Sequence, residues 1–162
     1  MLKETVSAGV SGWRDVGHAK AELADQDLVA KHRERQIDAA LRIAPGPKLR
    51  FGALQVKGNK DVRTKRIRQI ADLPVGKVFS PDDLKLSQRR LRRAGAFSSA
   101  ALIEAEMIGP DDTLPITAQI TEAPKRRFGF GAELSSLEGL TLSGFWLHRN
   151  LLGGAESLRL EG

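Results

Sequence analysis

The chain of 162 residues contains no cysteine and no tyrosine. Without cysteine it can form neither a disulfide nor a thiolate metal site. Aromatic residues make up only 5%, so any core must be built mainly from Leu, Ile, Val and Ala. No apolar run approaches the roughly 20 residues of a membrane helix. If the protein meets a membrane, it does so with strands or with its surface. No apolar leader segment follows Met1, so no signal peptide is expected in this stretch.

What is present reads as globular: 41% hydrophobic and 28% charged residues, with a formal net charge of +6. The positive bias is local. Between Asp61 and Arg93 there are ten basic residues and four acidic ones, a difference of +6 that accounts for the whole excess. Arg89, Arg90, Arg92 and Arg93 form the densest part of this basic face.

Residues 2–12 have the pattern of a helix end, with Gly12 where a C-cap would fall. Residues 18–31 are expected to be extended, with Ala19, Ala21 and Leu23 in period two. His32-Arg33-Glu34-Arg35 suits a turn, and Ile37 to Ile43 suits a return strand that Pro45-Gly46-Pro47 would end. Leu49 to Lys57 then predicts a strand closed by Gly58-Asn59. Val62, Ile67, Ile70 and Ala71 follow in helix period, with Pro74 and Gly76 as the expected stop. Ser80 as N-cap, Pro81 at the first helical position and Asp82-Asp83 in the first turn predict a second helix. Arginines crowd its far end and Gly95 would stop it. Phe97 to Met107 and Leu114 to Ala123 predict two strands around a turn at Gly109–Asp112. The order over residues 49–124 is β-α-α-β-β.

From Arg126 onward three strand-like runs follow. Phe128, Phe130, Ala132 and Leu134 alternate with Gly129, Gly131, Glu133 and Ser135, and Leu158 and Leu160 alternate with Ser157, Arg159 and Glu161. One apolar and one small or charged face is the pattern of a lipid-facing barrel strand, and equally of any half-buried antiparallel strand. Phe145 and Trp146, on successive positions, point to opposite faces. One of them suits an interfacial anchor or simple sheet packing.

The β-α-α-β-β order resembles a POTRA domain. The residues that carry the resemblance are Gly58-Asn59 after the first strand, Phe79-Ser80-Pro81 and the corner Leu91-Arg92-Arg93-Ala94-Gly95-Ala96-Phe97-Ser98. The runs Gly129 to Glu133, Leu134 to Leu140 and Trp146 to Glu156 resemble the opening strands and turns of the barrel in the outer-membrane insertase superfamily, most of all its TamA-like branch. The fold class implied is α+β: helices on a small mixed sheet, preceded by a partial POTRA and followed by the first antiparallel strands of an incomplete barrel. Residues 1–46 would be the end of one POTRA domain, 49–124 a complete barrel-proximal one, and 126–162 the opening barrel strands. Most of the barrel is absent, so the chain is expected to be a piece of a larger protein. Three strands cannot close a barrel, since about eight are needed, so 126–162 is expected to pair in another way or to be mobile.

The resemblance implies an assembly or translocation factor at the bacterial outer membrane, with its POTRA part in the periplasm. Implied partners are an inner-membrane-anchored TamB-like protein, unfolded outer-membrane clients of the autotransporter type, and outer-membrane lipid. A sheet edge with unpaired N–H and C=O groups can accept an added strand with little regard to its side chains. The strand after the second helix is the expected edge, over Ala101, Leu102, Ile103, Glu104, Ala105, Glu106 and Met107. Glu104 and Glu106 could instead be charges that guard the edge against unwanted pairing. The second candidate edge, the gate of the barrel, is its first strand: Phe128, Gly129, Phe130, Gly131, Ala132, Glu133 and Leu134. Gly129 and Gly131 would loosen its packing and ease its opening.

The other motifs carry less. Clustered arginines at a sequence pI near 10.0 are a nucleic-acid footprint, but no aromatic is interleaved among them. A solvated helix face, or contact with anionic lipid headgroups or an acidic partner, fits them better. The alternative of a different class is a soluble basic α+β domain binding nucleic acid or an acidic partner. Gly129-Phe130-Gly131 lacks the following helix and the third glycine of a phosphate loop. His18, His32 and His148 have no ligand spacing, and Asp25 and Asp27 have no visible base or metal partner. No nucleophile–base set is visible. No enzyme activity, cofactor, metal, nucleic acid or small-molecule substrate is therefore expected.

Overall fold

The computed structural model describes residues 2–31, 36–136 and 139–162. The fold is α+β. It opens with helix α1 (Leu2–Asp15), followed by strands β1 (Glu22–Lys31) and β2 (Gln36–Ala44). Strand β3 (Arg50–Lys57), helices α2 (Thr64–Ala71) and α3 (Pro81–Arg93), and strands β4 (Phe97–Glu104) and β5 (Thr113–Glu122) come next. Strands β6 (Arg126–Ser135), β7 (Gly139–Arg149) and β8 (Ser157–Glu161) complete it. The strands form three sheets, ordered β1-β2, β3-β5-β4 and β6-β7-β8.

Contacts gather these elements into two compact units. The first holds residues up to 53 together with 74–85 and 104–116; the second holds 54–73, 86–103 and 117–162. In the first, Leu49, Phe51, Phe79, Leu114 and Ile116 are buried, with the rings of Phe51 and Phe79 5.3 Å apart. In the second, Val62, Ile67, Leu91, Ala118 and Ile120 are buried. Each such Leu, Ile or Phe contributes about 1.5–3 kcal/mol by leaving water.

Helix α1 runs past Gly12 to Asp15, so Gly12 is not its C-cap. An exposed glycine inside a helix costs only about 1 kcal/mol relative to Ala, which the flanking turns can absorb. The chain turns at Gly17 instead, where φ is +107°. Residues 18–21 form a turn rather than a strand, with Ala21 N–H donating to His18 O at 3.0 Å. Strands β1 and β2 pair antiparallel from Glu22 opposite Ala44, with a bulge between Leu23 and Asp25. The expected turn at His32–Arg35 lies outside the described residues.

Gly58 follows β3 with φ +88°, and a Cβ there would collide with the carbonyl oxygen of Ile120. Only glycine meets both conditions. Helix α2 stops at Ala71, before the expected Pro74 and Gly76, because Asp72 enters the left-handed region (φ 46°) and its N–H bonds Arg68 O at 3.0 Å. The start of α3 follows its sequence signals: Ser80 Oγ accepts from Asp83 N–H at 3.4 Å. Its end does too, with Gly95 at φ +71°.

Strand β4 ends at Glu104, so Glu106 and Met107 fall in a bend rather than in the edge strand. Ala105 N–H still donates to Pro115 O at 3.0 Å, but Gly109 N–H to Thr113 O at 2.8 Å already closes the next turn.

Candidate functional site

Both candidate docking strands stand at an edge of their sheets, as β3 and β8 do at the other edges. Strand β4 has β5 on one flank only, and β6 has β7 on one flank only. The structure therefore places Ala101, Leu102, Ile103 and Glu104, and all of Phe128 to Leu134, on edge strands.

The β4 edge is partly occupied. Gln88 Nε2 donates to Ala100 O at 3.2 Å, and Arg92 Nε to the same oxygen at 3.4 Å. At the strand's other end Glu104 is no free guard charge, because Arg14 Nη2 lies 2.5 Å from its Oε1. Arg14 also donates to Ala19 O, and its guanidinium carbon sits 5.3 Å from the centre of the Phe79 ring.

The basic face is divided between packing and solvent. Arg90 Nη1 pairs with Asp72 Oδ2 at 2.8 Å, and Arg92 is used at Ala100. Arg89 and Arg93 are exposed and, among the described residues, have no carboxylate partner. Glu122 collects three backbone donors ahead of α2, the N–H groups of Lys60 at 2.8 Å, Asp61 at 3.0 Å and Val62 at 3.0 Å. Charged acceptors make the stronger hydrogen bonds.

The register of the third sheet sorts its side chains into two faces. Phe128 pairs Trp146, Phe130 pairs Gly144, Ala132 pairs Leu142 and Leu134 pairs Leu140. Trp146 in turn pairs Leu160, and His148 pairs Leu158. Directly paired residues share a face, so one face is apolar across all three strands. It is also open: Phe130 is 90% exposed, Leu134 81% and Leu142 69%. A contiguous apolar surface of this kind marks a membrane or partner contact. The opposite face carries Gly129, Gly131, Glu133, Phe145 and Arg159.

On that second face Phe145 lies over Gly129, where any added side chain would collide with its ring. Arg159 stacks on Phe145, 4.6 Å from the ring centre, and pairs with Glu161. Gly129 is therefore a seat for a cross-strand aromatic ring rather than a loose point in β6. Trp146 is on the apolar face, with the ring of His148 5.7 Å away. The strands pair as an open sheet and do not close.

The turn between β7 and β8 is tied to the start of α2, a feature that sequence reading left out. Arg63 donates to Gly153 O from both its backbone N–H and its Nε, each at 3.2 Å. Arg66 Nε donates to Gly154 O at 3.0 Å. Inside the turn Glu156 Oε2 accepts from Leu152 N–H at 3.3 Å and Gly154 N–H at 3.2 Å. Its own backbone N–H does most to hold the Glu156 carboxyl below the ordinary carboxylate range. Desolvation, next in size, opposes this, while the Leu152 and Gly154 donors and the Arg63 charge reinforce it. The glycines that looked only like a turn supply the two acceptor carbonyls.

His18 Nδ1 sits 2.8 Å from Gly46 O and its ring meets Trp13 edge-on at 5.2 Å. His32 lies outside the described residues. Among those described, no group of three His, Asp or Glu side chains could hold a metal ion.

Residues 49–123 match the POTRA family, described as a surface antigen variable number repeat. The chain carries one POTRA-type repeat over that span, a little under half of its length. It is 23% identical over 145 residues to the outer membrane protein assembly factor BamA of Neisseria meningitidis serogroup B, covering 90% of this chain and 18% of that protein. The crystal structure of BamA from Haemophilus ducreyi lacking POTRA domains 1–3 superposes with a TM-score of 0.81 at 20% identity, over 99% of this chain and 30% of that one. POTRA domains 3–5 of Haemophilus influenzae BamA superpose with a TM-score of 0.64 at 17% identity, over 75% of this chain and 47% of theirs. This chain thus spans about a fifth of the curated relative's length.

Proposed function

We propose that this chain is the membrane-proximal part of a TamA-like assembly factor that receives unfolded client strands by strand addition. Residues 1–46 are read as the end of one POTRA domain, 49–124 as the barrel-proximal one, and 126–162 as the first barrel strands. A client strand docks first on β4, over Ala101 to Glu104, and is passed to β6, over Phe128 to Leu134. Main-chain hydrogen bonds supply the affinity, which suits a factor serving many sequences. The observation that carries this reading is that β4 and β6 both stand at the edge of their sheets. The apolar face of β6 to β8 supports a lipid-facing role. Autotransporter-type clients and an inner-membrane-anchored TamB-like partner come with the TamA-like reading. The role needs no catalysis, cofactor, nucleic acid or small-molecule substrate.

The chain has no cysteine, so single cysteines can be placed at will. Cysteines introduced one by one along β4 and β6 should crosslink to single cysteines in an unfolded outer-membrane client. Added strands give a period-two pattern with a fixed register. Crosslinks without register, or confined to helix surfaces, would rule the proposal out.

A further inference from the structure

Positive charge without a counterion gathers where β6 begins. Arg126 and Arg127 are both exposed, and among the described residues neither has an ion-pair partner. The acidic groups of the surrounding segments are already engaged. Asp61 pairs with Lys125 at 2.8 Å, Glu122 holds the N–H groups ahead of α2, and Glu156 is bound within its own turn. Arg149 Nη1 donates to Pro124 O at 3.2 Å, which fixes its guanidinium beside the chain entering β6. Arg126, Arg127 and Arg149 line an open pocket of about 370 Å³ with Ala123 and Pro124.

The apolar face starts at this same level. Arg126 pairs with His148 in the register, and the next pair on that face is Phe128 with Trp146. Phe128 is 62% exposed. A soluble polyanion would satisfy the arginines and leave that apolar surface in water. A lipid satisfies both, its phosphate on the guanidinium groups and its acyl chains along the sheet. Guanidinium suits the task because its planar fork matches phosphate oxygens, and its long apolar stem lets it reach a headgroup from the edge of an apolar zone.

The geometry points to a binding site for the phosphate headgroup of an anionic phospholipid at Arg126, Arg127 and Arg149, in the leaflet nearest the POTRA repeat. The inference rests on reading β6 to β8 as membrane strands. The site sets the depth at which β6 enters the bilayer.

Vesicle flotation of the full chain tests it, using phosphatidylcholine alone and phosphatidylcholine with phosphatidylglycerol. Arg126→Gln combined with Arg127→Gln is compared with the parent and with the Lys pair. Both side chains are exposed, so the fold is retained. The parent should bind both vesicles and prefer the anionic ones, by about fivefold for each arginine at low salt, with the preference shrinking as salt rises. The Gln pair should lose most of that preference while binding phosphatidylcholine as before, and the Lys pair should keep most of it. Equal binding of the parent to both vesicles, or a preference the Gln pair retains in full, overturns the site but leaves the membrane strands standing. No binding to either vesicle overturns both.

Discussion

Arg14 Nη2 meets Glu104 Oε1 at 2.5 Å, joining the last turn of α1 to the last residue of β4, 90 positions away in sequence. Glu104 is therefore fixed in place at the end of the proposed docking strand. Both side chains are partly screened from solvent, with relative exposures of 29% and 18%. Arg14→Ala should destabilise by about 1 kcal/mol, the ordinary value of such a bond. Urea unfolding of the single and double variants with Glu104→Ala would measure the coupling, and additive losses would show that the pair contributes nothing of its own.

The tie between α2 and the β7–β8 turn should be separable from global stability. Arg63→Ala with Arg66→Ala removes the side-chain donors to Gly153 O and Gly154 O. Amide exchange at Leu152, Gly154 and Ala155 should rise while the midpoint of unfolding moves little. Unchanged protection in this turn would mean the backbone bond from Arg63 suffices.

Much of the repeat was legible in the sequence, because its signals are local. Ser80, Pro81 and Gly95 bracket α3 through cap chemistry that acts within one turn. The apolar alternation of Phe128 to Leu134 gives the faces of β6. The misplaced ends were decided elsewhere. Gly12 reads as a stop by composition, yet α1 continues to Asp15. Glu106 and Met107 read as strand, yet the turn bond from Gly109 N–H to Thr113 O ends the pairing early. The contacts of Arg63 and Arg66 span 90 and 88 positions, and no local pattern encodes a pairing at that distance. Phe145 over Gly129 escaped for the same reason: glycine in a strand signals a close approach without saying what approaches.

The Glu156 turn should respond to acid. The folded carboxyl is held below its ordinary value by the backbone donors of its own turn. A group with a depressed folded pKa contributes stability that is present above the unfolded value and lost as pH falls through the folded one. The ordering of this turn should thus be complete near neutrality and fade below the ordinary carboxylate range. The amide shifts of Leu152 and Gly154, followed during acidification, should report the loss, and Glu156→Gln should flatten their response. Identical curves for the parent and Gln proteins would discard the assignment.

Gly58→Ala should be among the costlier single changes. The new methyl group meets Ile120 O, and the backbone is held at φ +88°. Strain of the backbone alone is of order 1–3 kcal/mol, and the clash adds to it. A shift in the thermal midpoint of less than a degree or so would mean the loop after β3 relaxes freely.

Little slack remains where the repeat runs into β6. Ala123 N–H is bonded to Ala96 O at 2.9 Å, Lys125 O accepts from Arg149 N–H at 2.6 Å, and Lys125 Nζ holds Asp61. Glu122, just before this junction, is fastened by three amides. The short crossing between β5 and β6 thus acts as an axle and not as a tether. A pull on the repeat would therefore reach the first residues of β6 as rotation, with no slack chain to absorb it.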